Sequence, residues 1–163
     1  MGAPQNKNLK RFPRTLDLTD FGITADKTCV AQTYSLIGTY TVGAQQEATF
    51  GISTLRSGGV EGEPIYIRFD EAVGAGTQLT GRVRLVLSNA QGTERVVVLE
   101  ERTERLSASQ YDRTQAPLLV EYPVNAKEDS KLLIEFRVDD ATNQTLDFDG
   151  TNTKVLIPAT IYQ

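Results

Sequence analysis

The residues best suited to chemistry in this chain are carboxylates, and they come in close pairs: Glu100/Glu101, Asp139/Asp140 and Asp147/Asp149. Two carboxylates facing each other across a cleft can cleave a glycosidic bond, and a cluster of them can hold a hard cation. Neighbours on a strand point to opposite faces, so Glu100 and Glu101 diverge if that stretch is extended. Sugar clefts also use aromatic platforms, and the chain has no tryptophan. Asp147-Phe148-Asp149-Gly150 matches the opening of a calcium loop, but an EF-hand loop starting at Asp147 needs an acid where Pro158 stands. The remaining metal candidate is a looser set of Asp139, Asp140, Asp147 and Asp149, with calcium as its ion. Its plain alternative is a solvated acidic turn, with no cofactor at all.

Other chemistries lack their residues. There is no histidine, which removes Ser-His-Asp and Cys-His nucleophile systems, histidine-ligated zinc and the commonest general base. The single cysteine, Cys29, excludes an internal disulfide and thiolate zinc sites, and its apolar surroundings read as those of a small buried hydrophobe. No glycine-rich loop leads into a helix, so no phosphate cradle is visible. Asn143-Gln144-Thr145 fits a glycosylation sequon by chance composition. The chain therefore reads as a non-enzyme.

Charge is unevenly spread. Lys7, Lys10, Arg11 and Arg14 fall in the first 14 residues, which hold no acid. Setting those four aside leaves 13 bases against 21 acids, so a body of net −8 carries a basic arm. Four cations give a weak, salt-sensitive grip on phosphate, and the acidic body repels nucleic acid, so nucleic-acid contact is not the primary role. The longest apolar run, Val96 to Leu99, is far short of the roughly 18 residues that span a bilayer. The polar N-terminus has no apolar signal core, which predicts assembly in the cytoplasm.

The elements that must position these residues are strands. Residues 1–13 show no periodicity and contain two prolines, so they read as an extended arm, and 14–163 as one domain. Arg14–Leu18 is a short first strand. Period-two patterning then predicts Thr28–Val42, Glu47–Arg56, Pro64–Asp70, Leu79–Ser88, Thr93–Arg102, Leu118–Val124, Lys131–Asp139 and Thr153–Tyr162. In the first of these Val30, Tyr34 and Leu36 are in phase, and Gly38 marks a bulge because the phase changes after Ile37. Asn89-Ala90-Gln91-Gly92 reads as a hairpin turn. Pro158 cannot donate to a ladder and predicts an edge or a bulge. Ser107–Thr114 has room for one helical turn. Eight main strands with one-sided alternation predict an all-β, eight-stranded antiparallel jelly-roll sandwich, with an immunoglobulin-like sandwich as the other reading.

This layout of basic arm, eight strands across Thr28–Tyr162, no helical insertion and no catalytic set resembles single jelly-roll virion structural proteins, either capsid or decoration proteins. The resemblance implies self-assembly into, or decoration of, an icosahedral capsid, and a place in the virion. It also implies homo-oligomeric contacts and contacts with other virion proteins. Lys7, Lys10, Arg11, Phe12 and Arg14 would be the assembly arm, and Tyr162 a C-terminal contact. The other functional readings are a carbohydrate- or protein-binding β-sandwich module and a pilus or adhesin subunit completed by strand exchange.

Overall fold

The computed structural model describes residues 10–52, 65–74, 76–107 and 122–163. Those residues form β1 (Arg11–Leu16), β2 (Lys27–Cys29), β3 (Ser35–Thr41), β4 (Glu47–Ile52), β5 (Tyr66–Arg68), β6 (Asp70–Glu71), β7 (Gly81–Ser88) and β8 (Arg95–Arg102). After these come α1 (Thr103–Leu106), β9 (Tyr122–Ala126), β10 (Lys131–Val138), β11 (Gln144–Asp147) and β12 (Lys154–Tyr162). Every named strand pairing is antiparallel.

Two sheets hold the eight long strands. One runs β1-β12-β4-β9 and the other β3-β10-β7-β8. Numbered among themselves along the chain, these strands read 1-8-3-6 and 2-7-4-5, the interleaved order that two Greek keys produce in a jelly roll. The remaining strands are accessory. β5 pairs with the start of β12, while β2, β11 and β6 form a three-stranded patch. The fold class expected from sequence is therefore the one observed.

The core lies between the two inner faces. Ile134, Leu85 and Leu99 form one cross-strand row, and Phe136 with Val83 forms another, all at most 3% exposed. Val155, Ile157, Ala159 and Ile161 face them from β12. Phe21, Tyr40 and Phe50 make a run of tilted and edge-on rings about 6 Å apart, and Phe69 meets Phe136 at 5.4 Å. Gly38 sits where predicted. Pairing of β3 with β10 slips between Ile134 and Glu135, leaving Ile37 as the extra residue. A Cβ at Gly38 would lie 2.8 Å from the Phe21 carbonyl, so a larger residue does not fit there.

Several expectations are corrected. Thr28–Val42 is not one strand: a turn over residues 30–34 separates β2 from β3, with Gln32 at φ 52°. Val30 and Leu36 consequently face solvent, at 46% and 51% exposed, and Ile37 takes the core position. Pro64–Asp70 supplies only two short pieces, β5, a side partner of β12, and the start of β6, which belongs to the three-stranded patch. Pro158 is at neither an edge nor a bulge, because β12 is an interior strand. Mutual bonds between Lys10 and Gln163 set the alternation, so Ile157, Ala159 and Ile161 turn their backbone toward β1 while Pro158 turns away. The proline falls in the gap between the β4 ladder, which stops at Ala159, and the β5 ladder, which begins at Leu156. A helical turn not expected from the sequence stands at Thr103–Leu106, where Thr103 anchors it: its hydroxyl accepts from Gly81 N–H (3.2 Å) and donates to the Leu79 carbonyl (3.2 Å). The predicted continuations to Arg56, Thr114 and back to Leu118 lie outside the described residues.

Candidate assembly surface

The register gives the barrel two unlike ends. Short turns at 42–46, 89–94 and 127–130 close one end, and the described parts of the long connections, 17–34, 65–74, 76–80, 103–107 and 139–153, lie toward the other. Among the described residues of those long connections, ten carboxylates stand against three bases, Lys27, Arg68 and Arg105. β1 starts and β12 finishes at the short-turn end, so Lys10 and Arg11 lie at the far end from this acid.

Lys7 lies outside the described residues. Arg11, Phe12 and Arg14 are in β1, and Arg11 is directly opposite Tyr162 on the β1–β12 ladder of the same chain. The two segments singled out as contacts are thus neighbours in one sheet. β1 is the sheet's outer strand and is exposed along Arg11–Thr15. Pro13 sits at a position whose backbone faces away from β12, where its missing N–H costs no ladder bond. Phe12, Arg14 and Leu16 share the inner side. Only Leu16 is fully buried, Phe12 remains 43% exposed, and Arg14 pairs with Asp20. An arginine on the core side breaks the apolar alternation, which is why the sequence pattern does not show this strand starting at Arg11.

The four aspartates of the metal candidate are not brought together. Asp139 bonds Arg102, and Asp140 accepts from the N–H (2.8 Å) and hydroxyl (2.7 Å) of Thr142, which holds its carboxyl below the usual range. Asp147 and Asp149 do meet, and Asp26 joins them, with one oxygen of each within 4.8 Å of the others. A hydrogen bond to Asp149 raises the Asp147 carboxyl above its ordinary value. Asp26 is 121 positions from Asp147, and the β2–β11 ladder, with Lys27 opposite Leu146, brings it in. Nothing local in the sequence signals that pairing. Glu100 and Glu101 diverge as their strand requires: Glu100 is exposed and Glu101 is 6% exposed on the inner side.

The outer face of the β3-β10-β7-β8 sheet carries an arrangement the sequence did not reveal. Alternation places Arg82, Arg84, Arg95, Arg102, Lys131 and Arg137 on it, with Glu100 and Glu135 as the only acids from those strands. Arg137, Arg82 and Arg102 form one cross-strand row. Glu135 accepts from Arg84 at 2.7 Å and from Arg95 at 2.9 Å. The second of these pairs joins rows on either side of Val86. Val86, in the row between them, points outward yet is only 1% exposed. Tyr34 reaches from the start of β3 across the sheet: its hydroxyl donates to Glu100 at 2.6 Å, and the Arg84 guanidinium lies 3.9 Å from its ring centre. Desolvation first, then the Glu100 bond, pushes this phenol up to about 12. Arg102 pairs with Glu104 and Asp139, and Arg137 donates to the Gln32 carbonyl at 2.9 Å.

Cys29 is fully buried, and burial pushes its thiol up to about 11. The folded pKa exceeds the unfolded one. The contribution to stability is therefore whole below the ordinary value of 9.0 and is lost as pH rises toward 11. At pH 7.5 a thiol-specific chromogenic reagent is expected to label Cys29 at the rate of global unfolding. Labelling as fast as a free thiol would show the site to be open.

No protein-family model matches the chain, and no curated protein matches it in sequence. Solved structures do match in fold. The complex of VP16 and VP17, the two major capsid proteins of bacteriophage P23-77, aligns with a TM-score of 0.62 at 11% identity. The match covers 93% of this chain and 98% of that one. VP17, a capsid protein of the same phage, aligns at 0.63 and 10% identity over 95% and 97%. The fold is thus that of jelly-roll capsid proteins over almost the whole chain, as the resemblance implied. Among the described residues no helix is long and apolar enough to cross a membrane.

Proposed function

We propose that this chain is a virion structural protein that self-assembles into, or decorates, an icosahedral capsid, without catalytic activity. The observation that carries this reading is the end-to-end agreement in fold with phage capsid proteins, which covers almost all of both chains. The partners are further copies and other virion proteins, and assembly takes place in the host cytoplasm. β1 begins and β12 ends side by side at the short-turn end, with Lys10 bonded to Gln163, which supports a joint role of the two termini in contacts with neighbours.

A truncation tests the arm. Removing residues 1–14 would also strip most of β1 and uncover β12, so the informative variant starts at Lys10 and keeps the ladder intact. Size-exclusion chromatography with light scattering should show discrete oligomers for the full chain and smaller species for the truncated one. Equal oligomers from both would remove the arm from the contact. A full chain that stays monomeric at its highest soluble concentration would count against self-assembly.

A further inference from the structure

We propose that the outer face of the β3-β10-β7-β8 sheet docks against the acidic long-connection end of a second copy of this chain, making a head-to-tail contact. This deepens the self-assembly reading and rests on it.

Three observations carry the inference. First, the face has the composition of an interface centre rather than of a solvated surface. Five of its six cations are arginine, Tyr34 lies across it, and Leu36 and Val97 are 51% and 49% exposed beside them. Second, it is preorganised. Arg84, Arg95, Arg102 and Arg137 are already held by Glu135, Tyr34, Asp139, Glu104 and a backbone carbonyl, so little side-chain freedom remains to be lost on docking. Arg82, in the middle of the arginine row, has no ion pair or hydrogen bond among the described residues. Like charges opposite one another on a sheet are unfavourable without a counter-charge. Third, the complement is on the same chain. Apart from Glu104 and Asp139, which pair with Arg102, the long-connection end holds eight carboxylates against three bases among the described residues, and the Asp26, Asp147 and Asp149 carboxylates have no cationic partner there.

Face against face would set cations on cations, which disfavours a two-fold contact through this sheet. A basic face meeting an acidic end is heterologous, the geometry that closes into rings when the rotation permits.

The test is charge exchange followed by sedimentation velocity. One variant carries Arg82→Glu with Lys131→Glu, two side chains outside the ion-pair network. The other carries Asp147→Lys with Asp149→Lys. Each alone should weaken self-association by at least about tenfold, and an equimolar mixture should recover it, because the reversed face then meets a reversed end. Added salt should weaken the wild-type contact. Thermal melts confirm that each variant is folded, and Arg82→Gln serves as the milder substitution. Oligomers that persist unchanged in both variants would discard this contact while keeping self-assembly. Failure of the mixture to recover would also overturn it. A wild-type chain that remains monomeric would remove both the contact and self-assembly.

Discussion

Gly81→Ala is expected to destabilise the protein by about 3 kcal/mol or more, the largest single-residue effect predicted for this chain. A Cβ built at Gly81 would lie 2.0 Å from the Arg137 carbonyl oxygen and 2.9 Å from a ring carbon of Phe136. The first neighbour is backbone and belongs to β10, the strand that pairs with β7, so it cannot swing aside as a side chain would. Relief requires the start of β7 to move off β10, which would also break the bond from Gly81 N–H to Thr103 that anchors α1. Total stabilities of domains of this size are about 5–15 kcal/mol, so the loss is a large fraction of the whole. Gly51→Ala is the control: its nearest neighbour is 3.6 Å away, an ordinary contact. Urea unfolding monitored by circular dichroism should separate the two variants. Similar midpoints would show that β7 and β10 approach less closely than described.

The second large effect is expected at Glu135. Its carboxylate is mostly buried and accepts from two arginines on different strands. Glu135→Gln keeps the shape but leaves Arg84 and Arg95 facing each other without a counter-charge. Breaking a buried pair in this way costs about 3–5 kcal/mol, and exposed pairs are worth about 0–1 kcal/mol. The two arginine side chains are 29% and 44% exposed, so solvent screens part of the loss and a cost of about 2 kcal/mol is expected. Arg102→Ala, on a more exposed pairing, should cost under about 1 kcal/mol. Adding Arg95→Gln to Glu135→Gln should recover part of the loss in a double-mutant cycle. Strictly additive costs would show that the arginine does not lean on the carboxylate.

Much of the fold was legible because local and global preferences agree. The β7–β8 hairpin falls where the Asn89-Ala90-Gln91-Gly92 turn and the flanking alternation put it, with Gly92 at φ 75°. Gly38 announced its bulge through a change of phase. Legibility failed where tertiary context overrode the pattern. Phe12-Pro13-Arg14 hid a main strand because an ion pair to Asp20 lets an arginine face inward. Residues 28–42 looked like one strand because the five-residue turn inside them is built from residues with ordinary strand preference. The candidate surface was less legible still. Alternation within β7 alone sets Arg82 and Arg84 on one face, but their counterparts on β8 and β10 depend on register. Tyr34 acts three strands away from its own, and Asp26 joins Asp147 through an accessory ladder. Contacts between residues so far apart in sequence leave no periodic trace.

Whether the chain is a component of a virus particle is best tested on the particles themselves. Virions purified from the culture that produces this protein can be analysed by quantitative mass spectrometry and labelled intact with gold-conjugated antibody raised against the recombinant chain. The virion reading predicts many copies per particle, in fixed ratio to the other shell proteins, and labelling spaced regularly over the particle surface. Purified particles that lack the chain, with the protein recovered only outside them, would contradict it.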